Sequence, residues 1–366
     1  MPSLDGWRAI AILLVLISHT PYTLGAPAVL WGLLPLGDLG VRIFFVLSGF
    51  LITYLLLAEH EERGAINLRH FYVRRILRIF PVYFLYLFAL LFLQVTGRYD
   101  DNLTSWIGAF TFTRNYLGHG DSATAHFWSL AIEEQFYLIW PTILALAHLS
   151  KHHRLALALL SLVIFVGLLA RTIECNDVGF LCQRVLGGRS DLRYADSLGT
   201  GCLGAFVLIR WRSKVVGRNG SALFYASLSL LVLSAMPPGV FHAAMPTSLS
   251  VTLQGFLIVT CIILSTAGRP VLAYGALNSW LLVRIGLLSY SLYVWHFLFL
   301  SSMMGERFAQ FIIHDWRIWW GATLLTAFIS FNFVEMPIAA LKARFGQDLH
   351  NLRREGGVAP PLSASA

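Results

Sequence analysis

Charge is what this sequence of 366 residues has least of: 13% of its side chains are Asp, Glu, Lys or Arg, where a soluble domain carries about 25%. With 57% hydrophobic residues, that shortage excludes an ordinary water-exposed surface. Cysteine is scarce as well, at four residues. None stands at a spacing with histidine that resembles a zinc site. Cys202 and Cys261 fall in apolar segments, as packing residues do, while Cys175 and Cys182 share the stretch 174–194, where an oxidising compartment allows a disulfide. No internal repeat is visible, so an inverted-repeat transporter lacks its main sequence cue. There is no G-x-S-x-G, which leaves a serine-hydrolase elbow unsupported. "GTGCLG" at 199–204 has the letters of a dinucleotide fingerprint but no strand before it. It opens a membrane helix, and its glycines imply close helix packing.

What is abundant is apolar sequence of spanning length. Ten segments qualify, at about 9–26, 38–57, 79–96, 128–149, 155–173, 195–210, 221–236, 249–266, 281–304 and 317–336. The expected fold is all-α: a polytopic membrane bundle of about ten transmembrane helices over 1–345, then a disordered cytoplasmic tail over 346–366, with no second folded domain. The stretch 106–117 is apolar enough to lie on the membrane surface. With the N-terminus inside, inner loops and termini hold 18 Lys and Arg, against eight in the outer loops. That asymmetry puts both termini in the cytoplasm of a plasma or inner membrane. It also accounts for the net charge of +8 without nucleic acid as a partner.

Four stretches carry polar groups that an apolar span does not need. In "LDGWRAIAILLVLISHT", residues 4–20, Arg8 and His19 are eleven residues apart. Eleven steps of about 100° bring both onto one helix face, about 16 Å apart along the axis. Lipid-headgroup contact for Arg8 and bundle-holding hydrogen bonds for His19 are the structural alternative, but paired ionisable groups within a membrane usually mark a site. In "RHFYVRRILRIFPVY", residues 69–83, Arg74, Arg75 and Arg78 can converge on one anion, with anionic lipid the competing partner. Pro81 falls near the start of that span, where its missing N–H costs little. In "HFWSLAIEEQFYLIWP", residues 126–141, Glu133 and Glu134 are adjacent and cannot share one face. Neither can face lipid cheaply. His296, in "IGLLSYSLYVWHFLFL" at 285–300, sits among aromatics, where a packing role competes with a supporting catalytic one.

Together these pieces, with "GVRIFFVLSGFLI" at 40–52, resemble the acyltransferase 3 family of integral membrane acyltransferases from about Leu4 to Glu335. The resemblance implies transfer of an acyl group, commonly acetyl, from cytoplasmic acyl-CoA to a hydroxyl of a carbohydrate, often a surface polysaccharide. It implies no bound cofactor, acyl-CoA as a substrate, and membrane lipid and a glycan acceptor as partners. The family's R-x10-H motif falls on Arg8 and His19, its R-x-x-R motif on Arg75 and Arg78, its paired carboxylates on Glu133 and Glu134, and its late histidine on His296. One departure stands out: Arg42 occupies the place of the family's usual acid, whose role is missing or compensated here. The implied mechanism has Arg8, Arg75 and Arg78, with Arg74 beside them, holding the donor phosphates. His19 is the general base, Glu134 orients or charge-stabilises its ring with Glu133 behind, and an acyl-histidine remains an alternative route. A proton-coupled transporter using the same groups, and a lipid-binding scaffold, stay open as readings from other classes.

Overall fold

The computed structural model describes residues 2–117, 122–147, 151–173, 191–215, 219–235, 247–268, 271–300 and 315–340. Asp121, the Cys175–Cys182 pair, the basic residues Lys342, Arg344, Arg353 and Arg354, and the tail 346–366 lie outside them. The described residues are helical, with no strand beyond one isolated bridge between Leu24 and Asp315.

In chain order the helices are α1 (Pro2–His19), α2 (Pro35–Arg63), α3 (Leu68–Val95), α4 (Leu103–Phe110), α5 (Phe127–Leu146) and α6 (His153–Thr172). There follow α7 (Asp191–Val215), α8 (Gly220–Ala235), α9 (Thr247–Ile263), α10 (Val271–Leu277), α11 (Trp280–Trp295) and α12 (Trp316–Ser330). Each of the ten apolar segments read from the sequence falls on one of these. Among the described residues, seven helices are long and apolar enough to cross a membrane; α5, α7 and the shorter α8 make up the remainder. Local chemistry sets several starts: the side chains of Asn67, Asn102, Ser279 and Asp315 accept the backbone N–H that opens α3, α4, α11 and α12. The Asn67 cap begins α3 eleven residues ahead of the apolar run. Pro81 therefore lies in the helix interior and not near its start.

α1 is wedged between α2 and α11. In lipid there is little hydrophobic drive between helices, so close backbone approach at small residues holds them. A Cβ on Gly286 of α11 would stand 1.9 Å from the Asp5 carbonyl oxygen of α1. One on Gly40 of α2 would stand 2.6 Å from the Ala11 carbonyl oxygen. The crossing of α2 and α7 works the same way, for a Cβ on Gly201 would lie 2.2 Å from the Val46 carbonyl oxygen. Close packing is thus what "GTGCLG" provides. Cys202 and Cys261 are free and buried.

The 106–117 stretch is pinned onto the bundle: Trp106 Nε1 donates to Gln94 Oε1 at 2.6 Å, and Tyr83 donates its hydroxyl to the Ala109 carbonyl at 2.7 Å. Outward faces carry exposed apolar side chains, among them Phe88 and Phe92 on α3, Phe165 on α6 and Phe328 on α12. That perimeter suits lipid, and the molecule is an all-α, multi-pass membrane protein.

Candidate functional site

Held on both sides, α1 presents Arg8 and His19 to two neighbouring cavities. The first is lined by Arg8, Arg75, Arg78, Ser48, Glu133 and Tyr137, with Tyr290 and Tyr293 of α11 across from them. Arg8 Nη1 lies 2.7 Å from Asp5 Oδ1, which fixes the guanidinium one turn from its own backbone. Arg75 rests over the Tyr137 ring, 4.6 Å from its centroid, a contact that suits a planar guanidinium. Glu133 sits opposite: Ser48 Oγ donates to its Oε1 at 2.7 Å, and the Tyr137 hydroxyl lies 3.2 Å from its Oε2 and 2.8 Å from Ser48 Oγ. Three guanidinium groups against one lining carboxylate leave this cavity electropositive, which favours an anionic ligand.

Arg74 does not join them. Its guanidinium points to Glu59 at 3.9 Å and its side chain is 44% exposed. Arg75 and Arg78 line the cavity and Arg74 does not, its guanidinium being engaged by Glu59 instead.

The second cavity, of about 380 Å³, is lined by His19, His126, Asp38, Trp128, Tyr194 and Tyr293, among others. His19 Nδ1 is 2.8 Å from the Val15 carbonyl oxygen. A carbonyl only accepts, so in the neutral ring Nδ1 carries the hydrogen and Nε2 the basic lone pair. His296 and Phe297 close in on the His19 ring, each 5.1 Å from it between centroids. α11 ends at Trp295, and one 3₁₀ turn over His296–Phe299 brings both rings in. His296 Nδ1 contacts the Tyr293 carbonyl at 2.7 Å, and its Nε2 is buried without a hydrogen-bond partner among the described residues. His126, 5.1 Å from His296 between centroids, completes a group of three imidazoles around Phe297. Among the described residues no group of His, Cys, Asp or Glu is arranged to hold a metal ion.

Val41 and Tyr293 line both cavities. The Tyr293 hydroxyl donates to the His126 carbonyl at 2.6 Å and lies 2.6 Å from Ser129 Oγ. A tyrosine fixed at both points therefore stands where the two spaces meet.

Arg8, Arg75, Arg78 and Glu133 are thus brought together, and His19 is joined by His296. The glutamates do not accompany the histidine. Glu133 belongs to the arginine cavity, and Glu134 lines neither cavity; its Oε1 is buried without a hydrogen-bond partner among the described residues. The expected Glu134–His19 pairing is not formed: Nδ1 of His19 meets the Val15 carbonyl, and Glu134 does not line the His19 cavity. Sequence reasoning missed His126, Tyr137, Tyr293 and Asp38. Two of them carried a signal: Tyr137 is four residues from Glu133, one helical turn, and His126 heads the stretch that holds both glutamates.

Residues 1–334 match the sequence profile of a family described as an acyltransferase domain, acyltransferase 3. Peptidoglycan O-acetyltransferase OatA of Listeria monocytogenes is 31% identical over 365 residues, covering 92% of this chain and 56% of its own length. YrhL of Bacillus subtilis, provisionally named a peptidoglycan O-acetyltransferase, is 28% identical over 92% of this chain and 55% of its own. The chain spans a little over half the length of these relatives. No solved structure matches it. The chain belongs to the acyltransferase 3 family.

Proposed function

We propose that this member of the acyltransferase 3 family is an O-acyltransferase. It moves an acyl group, acetyl in the first instance, from cytoplasmic acyl-CoA to a hydroxyl of a glycan. The observation that carries this reading is the pair of cavities on one face of α1, one ringed by Arg8, Arg75 and Arg78 and the other holding His19, with Tyr293 between. The relatives named for O-acetylation of peptidoglycan support both the acetyl group and a glycan acceptor.

In this reading the arginines bind the donor's phosphates through charge-assisted hydrogen bonds. Glu133, held by Ser48 and Tyr137, keeps the three cations from repelling one another while the cavity is empty. The pantetheine arm runs past Tyr293, along the roughly 16 Å of helix from Arg8 to His19. His19 Nε2 removes the acceptor hydroxyl's proton as its oxygen attacks the thioester carbon. Collapse of the tetrahedral adduct breaks the C–S bond, and the departing thiolate takes the proton from His19. The Val15 carbonyl keeps Nδ1 protonated and fixes the ring's direction. Donor and acceptor enter from opposite faces, with both chain termini on the donor side, so neither substrate crosses the membrane.

The test uses the purified full-length chain in lipid nanodiscs with radiolabelled acetyl-CoA and an oligosaccharide acceptor. Label in an alkali-labile ester on the sugar is the expected result. Acceptor or proton flux without ester formation would replace this reading by the proton-coupled transporter.

A further inference from the structure

The histidine cavity holds one feature that the reaction above does not use. Asp38 stands in the first turn of α2, exposed and lining the cavity. Among the described residues it makes no hydrogen bond or ion pair. Around it the walls are aromatic: Trp128 and Tyr194 pack with ring centroids 4.9 Å apart, and Tyr293 faces them from α11. At the rim, Tyr22 meets Trp31 edge to face at 5.6 Å, and both are substantially exposed. Arg42, one helical turn on from Asp38, does not line the cavity; its guanidinium bonds Gln254 of α9 and acts on Asp38 only through space. The family pattern has an acid at position 42; in this chain a carboxylate on this side of α2 stands one turn earlier, at Asp38.

A carboxylate without a hydrogen-bond partner among the described residues, set amid aromatic faces, suits a particular ligand chemistry. Flat rings cover the C–H faces of a sugar, and the carboxylate accepts from the hydroxyls at its edge. A second carboxylate on a ligand seated beside Asp38 would meet a like charge at close range, which costs affinity. The volume of about 380 Å³ lies within the range of ordinary small-molecule sites.

We propose that the cavity beside His19 takes one pyranose ring of an uncharged glycan. Asp38 accepts hydrogen bonds from hydroxyls next to the one being acylated, and Trp128, Tyr194 and Tyr22 supply the apolar walls. The inference rests on the acyltransferase reading and adds the class of acceptor, neutral rather than acidic. It also gives Asp38 the task of recognising that acceptor.

The experiment compares wild type, Asp38→Asn and His19→Ala, each in nanodiscs and checked for a monodisperse size-exclusion profile. The donor is acetyl-CoA, and the acceptors are a pool of neutral chito-, cello- and malto-oligosaccharides and a pool of oligogalacturonates. Wild type is expected to acetylate the neutral pool and to discriminate against the acidic one. Asp38→Asn is expected to raise the neutral-acceptor KM about tenfold or more, the scale of a lost charge-assisted hydrogen bond. The acetyl-CoA KM stays unchanged, and discrimination against the acidic pool weakens. Wild type that prefers oligogalacturonate, or Asp38→Asn with wild-type acceptor KM and selectivity, overturns the inference. If His19→Ala is dead while Asp38→Asn behaves as wild type, this inference alone falls. If His19→Ala keeps full transfer, or wild type acetylates neither pool, the acyltransferase reading it rests on falls with it.

Discussion

Arg8 and His19 leave one face of α1 and enter two different cavities, which share Val41 and Tyr293 as a common wall. An anion-binding end and a basic end are thereby joined by a single rigid helix. Its position is set by glycine contacts on both sides, so the spacing of the two groups is a property of the backbone. Each part of this arrangement can be disturbed separately.

His19→Ala removes the basic nitrogen and is expected to lower transfer by about 10²–10⁴-fold, the usual cost of losing a general base. Membrane abundance and donor affinity should be unaffected, as read by immunoblot and by acetyl-CoA binding. A well-expressed His19→Ala protein with wild-type turnover would take the residue out of the mechanism.

Arg75→Ala combined with Arg78→Ala should weaken acyl-CoA binding about tenfold or more, measured by calorimetry or as donor KM. Lysine at both positions should restore only part of the affinity, since a point charge cannot reproduce a bidentate fork. Arg74→Ala serves as the contrast. Its exposed side chain faces Glu59, so donor affinity should stay within about twofold of wild type, as expected for a surface ion pair.

Tyr293→Trp enlarges the side chain at the junction of the cavities while leaving both sets of polar residues in place. Turnover should drop by about 10²-fold, the scale of a displaced reacting group, with donor Kd little changed. Loss of donor binding in parallel with turnover would place Tyr293 in the phosphate site instead.

Gly286→Ala adds a carbon that would stand 1.9 Å from the Asp5 carbonyl oxygen, so α1 or α11 must shift. The expected cost is about 1–3 kcal/mol of stability, visible as a lower melting temperature in detergent, with reduced turnover from a misplaced α1. Gly275→Ala, which has nothing within 4 Å of its added carbon, should leave both unchanged.

A cysteine at the exposed Thr104, in a background with Cys175 and Cys182 changed to serine and only the buried Cys202 and Cys261 retained, should react with a membrane-impermeant thiol reagent on intact cells. A reporter fused at the C-terminus should behave as cytoplasmic. Protection of Thr104→Cys together with an outward C-terminus would put the arginine cavity on the wrong side for a cytoplasmic donor.

The sequence by itself determined the class of molecule, the location of ten helices and the alignment of Arg8 with His19. All three follow from local quantities: hydropathy over a window of spanning length, and the 100° step between successive residues on one helix. It left open which side chains from different helices meet. Glu133 and Glu134 differ by one position in the chain, yet one lines the arginine cavity and the other lines neither. Arg74 and Arg75 part in the same way, one to Glu59 and the other to Tyr137. Those outcomes depend on how α2, α3 and α5 pack against one another, through contacts such as Ser48 with Glu133, 85 positions apart. His126 and Asp38 carry no period or spacing of their own and become site residues only because α5, α2 and α11 converge at the end of α1. Tertiary packing made that choice: backbone approach at the glycines of α2 and α11 fixes which helix faces can touch, and no local pattern encodes that approach.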